Sequence, residues 1–130
     1  MMSIVDANII LRYLLDDHAE LSPRATEILE QETPILPIEV ACEVVYVLQK
    51  VYSVDRKEIQ ENLCGLLDIP LVSMDKPTVL RQALEYYSRT KLDFVDTLLW
   101  AYHTVESQTI FTFDEKLKKY IQQKSIEKTS

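Results

Sequence analysis

Acidic residues stand at four places in this chain where a carboxylate is costly or out of keeping with its neighbours. Asp6 follows Met2-Ser3-Ile4-Val5, and Glu43 lies within Val40-Ala41-Cys42-Glu43-Val44-Val45. Asp93 and Asp96 flank Phe94-Val95, and Asp114 follows Ile110-Phe111-Thr112-Phe113. Taking an ionised carboxylate out of water costs several kcal/mol unless an opposite charge offsets it. A divalent metal is the simplest offset for several at once, and hard cations such as Mg²⁺ or Mn²⁺ take carboxylate oxygens as ligands. Asp93 and Asp96 make the conflict acute. Three positions apart on a helix, their Cβ atoms lie roughly 5–6 Å from each other. At an effective dielectric near 20 they repel by about 3 kcal/mol. One of them therefore needs a cation, a proton or water. A place in the first helical turn returns only about 0.3–1 kcal/mol each. The competing reading gives each acid a separate role, with Asp6, Asp93 and Asp114 as helix N-caps and Glu43 as a satisfied buried acid. Capping explains neither Glu43 nor Asp96.

The elements that must position these residues alternate. Ser3-Ile4-Val5 predicts a short strand, and 7–15 carries helical spacing, so Asp6 falls at the carboxyl end of the first strand. Ser22-Pro23 reads as an N-cap with proline at the first helical position, opening a helix to about Glu32. Pro34 to Leu36 predicts a second strand, and Pro37 opens a helix reaching about Tyr52. From Ile38 to Leu48 nearly every position except Glu39 and Glu43 is apolar, which predicts a largely buried helix. Asp55 and Glu58 have capping-box spacing for a helix to about Leu67. Leu71-Val72 offers a third strand, Pro77 starts a helix to about Ser88, and 93–105 is a further helix. Thr109 to Phe113 reads as the last strand, followed by a basic helix from Lys116 and a polar tail over 124–130. Strands alternating with helices predict an α/β domain, taken as 1–123, with a parallel sheet covered on both faces. In such sheets the ligand site lies outside the carboxyl ends of the strands. Asn8 could be structural or could equally orient the Asp6 carboxylate, and Thr112 could do the same for Asp114. Arg12, Arg89 and Lys91 are surface bases that could meet phosphate, the last two just before the helix carrying Asp96.

Composition narrows the class. With 47% hydrophobic and 27% charged residues the chain is an ordinary globular protein. No apolar run approaches the roughly 20 residues of a membrane span, and no basic segment precedes Asp6, so a cytoplasmic protein is expected. Cys42 and Cys64 form no metal-ligand or disulfide pattern and read as buried thiols, while His18 and His103 read as surface or helix-end residues. The net charge of −7 argues only weakly against a nucleic-acid partner. Two divalent cations would reduce it to about −3, and the remaining bases can still cluster.

Taken in order, Asp6-Ala7-Asn8-Ile9-Ile10-Leu11-Arg12, Glu43-Val44-Val45-Tyr46, Asp93-Phe94-Val95-Asp96-Thr97-Leu98-Leu99 and Thr112-Phe113-Asp114 resemble the PIN-domain toxins of the VapC type over essentially the full chain. The resemblance implies a three-layer α/β/α nuclease that cleaves RNA with Mg²⁺ or Mn²⁺. It also implies a dimer held in check by a cognate antitoxin. It places Asp6, Glu43, Asp96 and Asp114 as the acidic quartet holding metal and doing the chemistry. Asp93 is then an extra acid, and Asn8 and Thr112 are polar supports. Thr97 departs from the usual alanine. Two alternatives are a catalytically silent PIN-fold interaction module and a Mg²⁺-dependent phosphotransfer domain. The latter would need a second acid where Asn8 stands.

Overall fold

Among the described residues the helices run in the order α1 (Ala7–Leu15), α2 (Leu21–Glu32), α3 (Ile38–Lys50), α4 (Arg56–Asp68), α5 (Pro77–Arg89), α6 (Phe94–Glu106) and α7 (Glu115–Thr129). The computed structural model describes the backbone over 2–129 and the side chains over 2–122, so the side chains of the expected tail at 124–130 lie outside the described residues. The chain divides into two compact units, one up to Pro77 and one from Thr78.

In the first unit the three expected strands are present only as single parallel bridges, Ile4 to Ile35 and Ile35 to Ser73. Ile35 N–H donates to Ser3 O at 2.7 Å and Val5 N–H to Ile35 O at 3.1 Å. On the other side, Leu36 N–H donates to Ser73 O at 2.8 Å and Ser73 N–H to Pro34 O at 2.9 Å. The direction is parallel, as the alternation predicts, but no ladder of strand length forms among the described residues. Proline punctuation accounts for this. Pro34 has no N–H to donate, and Pro37 and Pro70 close off the second and third segments at once. The fourth expected strand, Thr109 to Phe113, has no ladder partner among the described residues.

The helices follow their local chemistry. Asp6 and Asp55 cap α1 and α4, each accepting from the backbone N–H three residues on, Ile9 at 3.2 Å and Glu58 at 2.8 Å. α2 differs from expectation: it begins at Leu21, and Ser22 is not its cap. The imidazole Nδ1 of His18 accepts from Glu20 and Leu21 N–H at 3.2 and 2.9 Å, while the buried Ser22 Oγ accepts from His18 N–H at 3.2 Å. With a single glycine in the chain, non-glycine residues take the left-handed positions that end helices. Asp16, Thr33 and Ser107 close α1, α2 and α6 at φ 47°, 41° and 58°. α3 is a second correction. It buries Ala41, Val44, Val45 and Leu48, but Glu39, Glu43, Tyr46 and Lys50 line an exposed stripe at helical spacing. An apolar side chain is not obliged to be buried, and Val40, Cys42 and Val47 are only half-buried here.

In the second unit aromatic rings fix the helices that carry the remaining acids. Tyr86 of α5 stacks on Trp100 of α6 with centroids 3.8 Å apart and meets Tyr120 of α7 edge-on at 5.5 Å. Tyr87, fully buried, meets Phe94 edge-on at 5.6 Å. Such pairs add about 0.5–1.5 kcal/mol each beyond the area they bury. They join α5 to α6 and α7.

Candidate metal centre

α6 and α7 present three carboxylates from their first turns and the residues just before them. Asp93 occupies the N-cap position of α6 in extended conformation, yet its side chain makes no capping hydrogen bond. The capping role that would have explained Asp93 away is therefore not the one it performs. Asp96, half-buried in the first turn, is the acid with a displaced equilibrium. Burial, then the charges of Asp114 and Asp93, hold its carboxyl above the usual aspartate range, and Lys116 pulls the other way. Asp93, Asp96 and Asp114 thus share one electrostatic neighbourhood.

Asp114 is tied down on both sides. Its Oδ1 accepts from Leu117 N–H at 3.1 Å, capping α7, and its own N–H donates to Thr112 Oγ1 at 3.0 Å. Thr112 therefore supports Asp114 through the main chain rather than through the carboxylate. A carboxylate offers about four lone-pair sites, so one capping bond leaves most of Asp114 for a ligand. Thr97, fully buried one position after Asp96, places no unpaired hydroxyl in the core: its Oγ1 donates to Phe94 O at 2.6 Å.

The first unit carries Asp6 and Glu43. Asp6 is exposed at the start of α1 and borders a cleft of about 330 Å³ that Ser3, Ile9 and Glu32 also line. Asn8 is exposed and, among the described residues, makes no hydrogen bond to Asp6. Glu43 stands in solvent on the α3 stripe, against the expectation of a buried acid. The bases expected to meet phosphate are partly engaged. Arg12 Nη1 is 2.7 Å from Asp17 Oδ1, Arg89 Nη2 is 3.8 Å from Glu85 Oε1, and Lys91 is exposed. The cation that matters electrostatically at Asp96 is Lys116, which the sequence offered only as part of a basic helix. Its signal was its place two residues after Asp114, in the first turn of α7. Among the described residues no three His, Cys, Asp or Glu side chains are already gathered as a ligand set. The three acids of the second unit are joined by charge rather than by a closed coordination shell.

No helix among the described residues is long and apolar enough to cross a membrane. The chain matches the PIN domain family model over residues 3–121. It is similar to a VapC ribonuclease of Aquifex aeolicus (strain VF5), 29% identical over 101 residues that cover 75% of each chain. No solved structure matches it significantly. The family match runs from the first bridged segment into α7 and spans Asp6, Glu43, Asp93, Asp96 and Asp114, and on that extent the chain belongs to the PIN-domain family.

Proposed function

We propose that the protein is a Mg²⁺- or Mn²⁺-dependent endoribonuclease, hydrolysing RNA phosphodiester bonds as the toxin of a toxin–antitoxin pair. Asp6, Glu43, Asp96 and Asp114 are its acidic quartet. The observation that carries the reading is the placement of three carboxylates at the starts of α6 and α7: Asp93, which caps nothing, Asp114, and Asp96, whose ionisation burial and the two neighbouring charges resist. Family membership and the similarity to a VapC ribonuclease support the activity. The donor chemistry fits the ion: the candidate ligands are carboxylate oxygens without sulfur or imidazole, the set that hard cations take. Asp6 on the first unit and Asp96 and Asp114 on the second would be ligands for one or two such ions. The chemistry such an ion would supply is a water of lowered pKa and neutralisation of charge on the phosphate.

The chain's own residues do the rest. Thr112 and the Leu117 N–H keep the Asp114 carboxylate in one orientation. The Ile9 N–H does the same for Asp6. Glu43, solvent-facing on α3, would complete a ligand set or orient the attacking water. Exposed Tyr46, Val51 and Tyr52 at the end of α3 support a partner surface on the first unit, for an antitoxin segment or a second copy of the chain. The parallel bridges support completion of a central sheet in the three-layer α/β/α arrangement.

The test is cleavage of an RNA pool by the purified, antitoxin-free protein with and without Mg²⁺ or Mn²⁺, beside Asp6→Asn and Asp96→Asn. Metal-dependent cleavage absent from both variants is the expected result. Cleavage that survives in both, or that ignores chelation, overturns the assignment.

A further inference from the structure

A cation in the first turn of an α-helix meets the positive end of the helix dipole and is destabilising there unless acids close by outweigh that effect. Lys116 is such a cation, in the first turn of α7. Glu115 beside it is already engaged, its Oε1 3.3 Å from Lys118 Nζ. The acids that Lys116 faces follow from register and ring contacts, all within the second unit. Residues four apart share a helix face, which puts Asp96 one turn ahead of Trp100 on α6 and Lys116 one turn ahead of Tyr120 on α7. Both rings meet Tyr86, Trp100 stacked at 3.8 Å and Tyr120 edge-on at 5.5 Å, and the two helices pack together. Helical side chains lean toward the N-terminus. Asp96 and Lys116 therefore both lean away from that aromatic layer, each toward its own helix start, where Asp93 and Asp114 stand. The charges agree with this placement: burial and the carboxylates of Asp114 and Asp93 hold the Asp96 carboxyl up, and Lys116 draws it down.

We infer that Lys116 is the resident counter-ion of the acids at the starts of α6 and α7, a tethered cation that yields this place to a divalent ion and so sets how tightly the ion binds. The inference rests on the metal reading of those acids and adds a residue outside the acidic quartet and its polar supports. A lysine ammonium is a compact, strongly hydrated charge on a flexible four-carbon stem, so it can stay near carboxylates without ligating and can swing into water. A divalent cation carries twice the charge and takes carboxylate oxygens directly, which favours the exchange. Lys116 then has opposite effects in the two states. Without metal it offsets the repulsion among Asp93, Asp96 and Asp114, and with metal it repels the ion. A divalent ion and an ammonium roughly 7 Å apart in water-like surroundings change each other's affinity about sevenfold, and about threefold once 0.1 M salt screens them.

The experiment uses the full chain as wild type, Lys116→Met, Lys116→Arg and Lys119→Met, melted in chelator and titrated calorimetrically with Mn²⁺ alone in 0.1 M salt. Lys116→Met should lower the metal-free Tm by about 1–2 °C and tighten Mn²⁺ binding about threefold. A lysine that opposed only its own helix dipole would on removal raise Tm instead, by about 1–4 °C. Lys116→Arg keeps the charge and should match the wild type in both readouts. Lys119→Met, one turn further along α7, should change Mn²⁺ affinity by less than about 1.5-fold. In an Asp96→Asn background the Tm loss from Lys116→Met should shrink, because the pairing has lost one partner. A metal-free Tm unchanged or raised in Lys116→Met, or Mn²⁺ binding unchanged or weakened, would overturn the inference. So would equal effects from Lys119→Met, which would assign them to net charge, or an undiminished Tm loss beside Asp96→Asn. A wild type that binds no Mn²⁺, while Lys116→Met still lowers the metal-free Tm, would overturn the metal reading and leave the pairing of Lys116 with the acids standing.

Discussion

Replacing Asp96 by asparagine separates a carboxylate kept for a ligand from one kept for the fold. Two carboxylates roughly 5–6 Å apart, the helical spacing that an extended N-cap residue such as Asp93 only approximates, repel by about 3 kcal/mol at an effective dielectric of 20 and under 1 kcal/mol in bulk water. Both Asp93 and Asp114 are exposed, so each repulsion belongs near the lower figure, about 1 kcal/mol. Asparagine removes both, and with them the cost of burying the charge, the largest of the causes, but also gives up about 0.3–1 kcal/mol of first-turn dipole energy and the attraction of Lys116. Without metal the variant should therefore gain about 0.5–1 kcal/mol. Unfolding entropy is about 0.27 kcal/mol/K at this length, so Tm should rise by about 2–4 °C. The sign of the pH dependence follows. The folded chain holds the Asp96 proton more tightly than the unfolded chain, so wild-type stability falls as pH rises from the ordinary aspartate range through the raised one. The variant's advantage should then be full at neutral pH and vanish below the ordinary range. Divalent cation reverses the order: at ten times its Kd, Mg²⁺ adds about 1.4 kcal/mol to the wild type, about 5 °C, and little to the variant. Thermal melts at two pH values, with and without Mg²⁺, measure all of this. A metal-free variant that melts several degrees lower, or an equal Mg²⁺ shift in both proteins, would refute the reasoning.

Glu43→Gln, on the exposed stripe of α3, should leave stability within about 0.5 kcal/mol by denaturant titration while RNA cleavage is lost. A clear stability loss would give Glu43 a structural role instead. Trp100→Ala should cost about 3–5 kcal/mol by urea unfolding, because the ring is buried and stacked on Tyr86. Trp100→Phe should cost far less, since the buried indole N–H finds no acceptor among the described residues and phenylalanine removes it. Thr33→Gly should raise Tm by about 2–4 °C, since a β-branched residue at φ 41° bears roughly 1–2 kcal/mol of left-handed strain, partly offset by glycine's entropy.

What the sequence made legible were features whose physics is local. Asp6 and Asp55 cap helices because a carboxylate three residues ahead of an N–H needs nothing else to find it. The helix bounds follow prolines and apolar spacing for the same reason. Features set by neighbours were less legible. The apolar run over 38–48 could not say which side of α3 would be covered, so Glu43 read as buried when it stands on an open stripe. Ser22 followed by Pro23 looked like a cap, but His18, ahead of the helix and outside its apolar spacing, takes the free N–H groups instead. Spacing alone placed Asp93 and Asp96 in conflict, and the structure adds Asp114 to that conflict and Lys116 against it. The acids then differ in purpose. A carboxylate spent on a cap is stabilising without any ligand, as Asp55 is. Asp93 sits in a cap position and makes no capping bond, and Asp96 is held where ionisation is resisted. These two contribute repulsion to the folded chain, of the kind that a bound cation would turn into affinity.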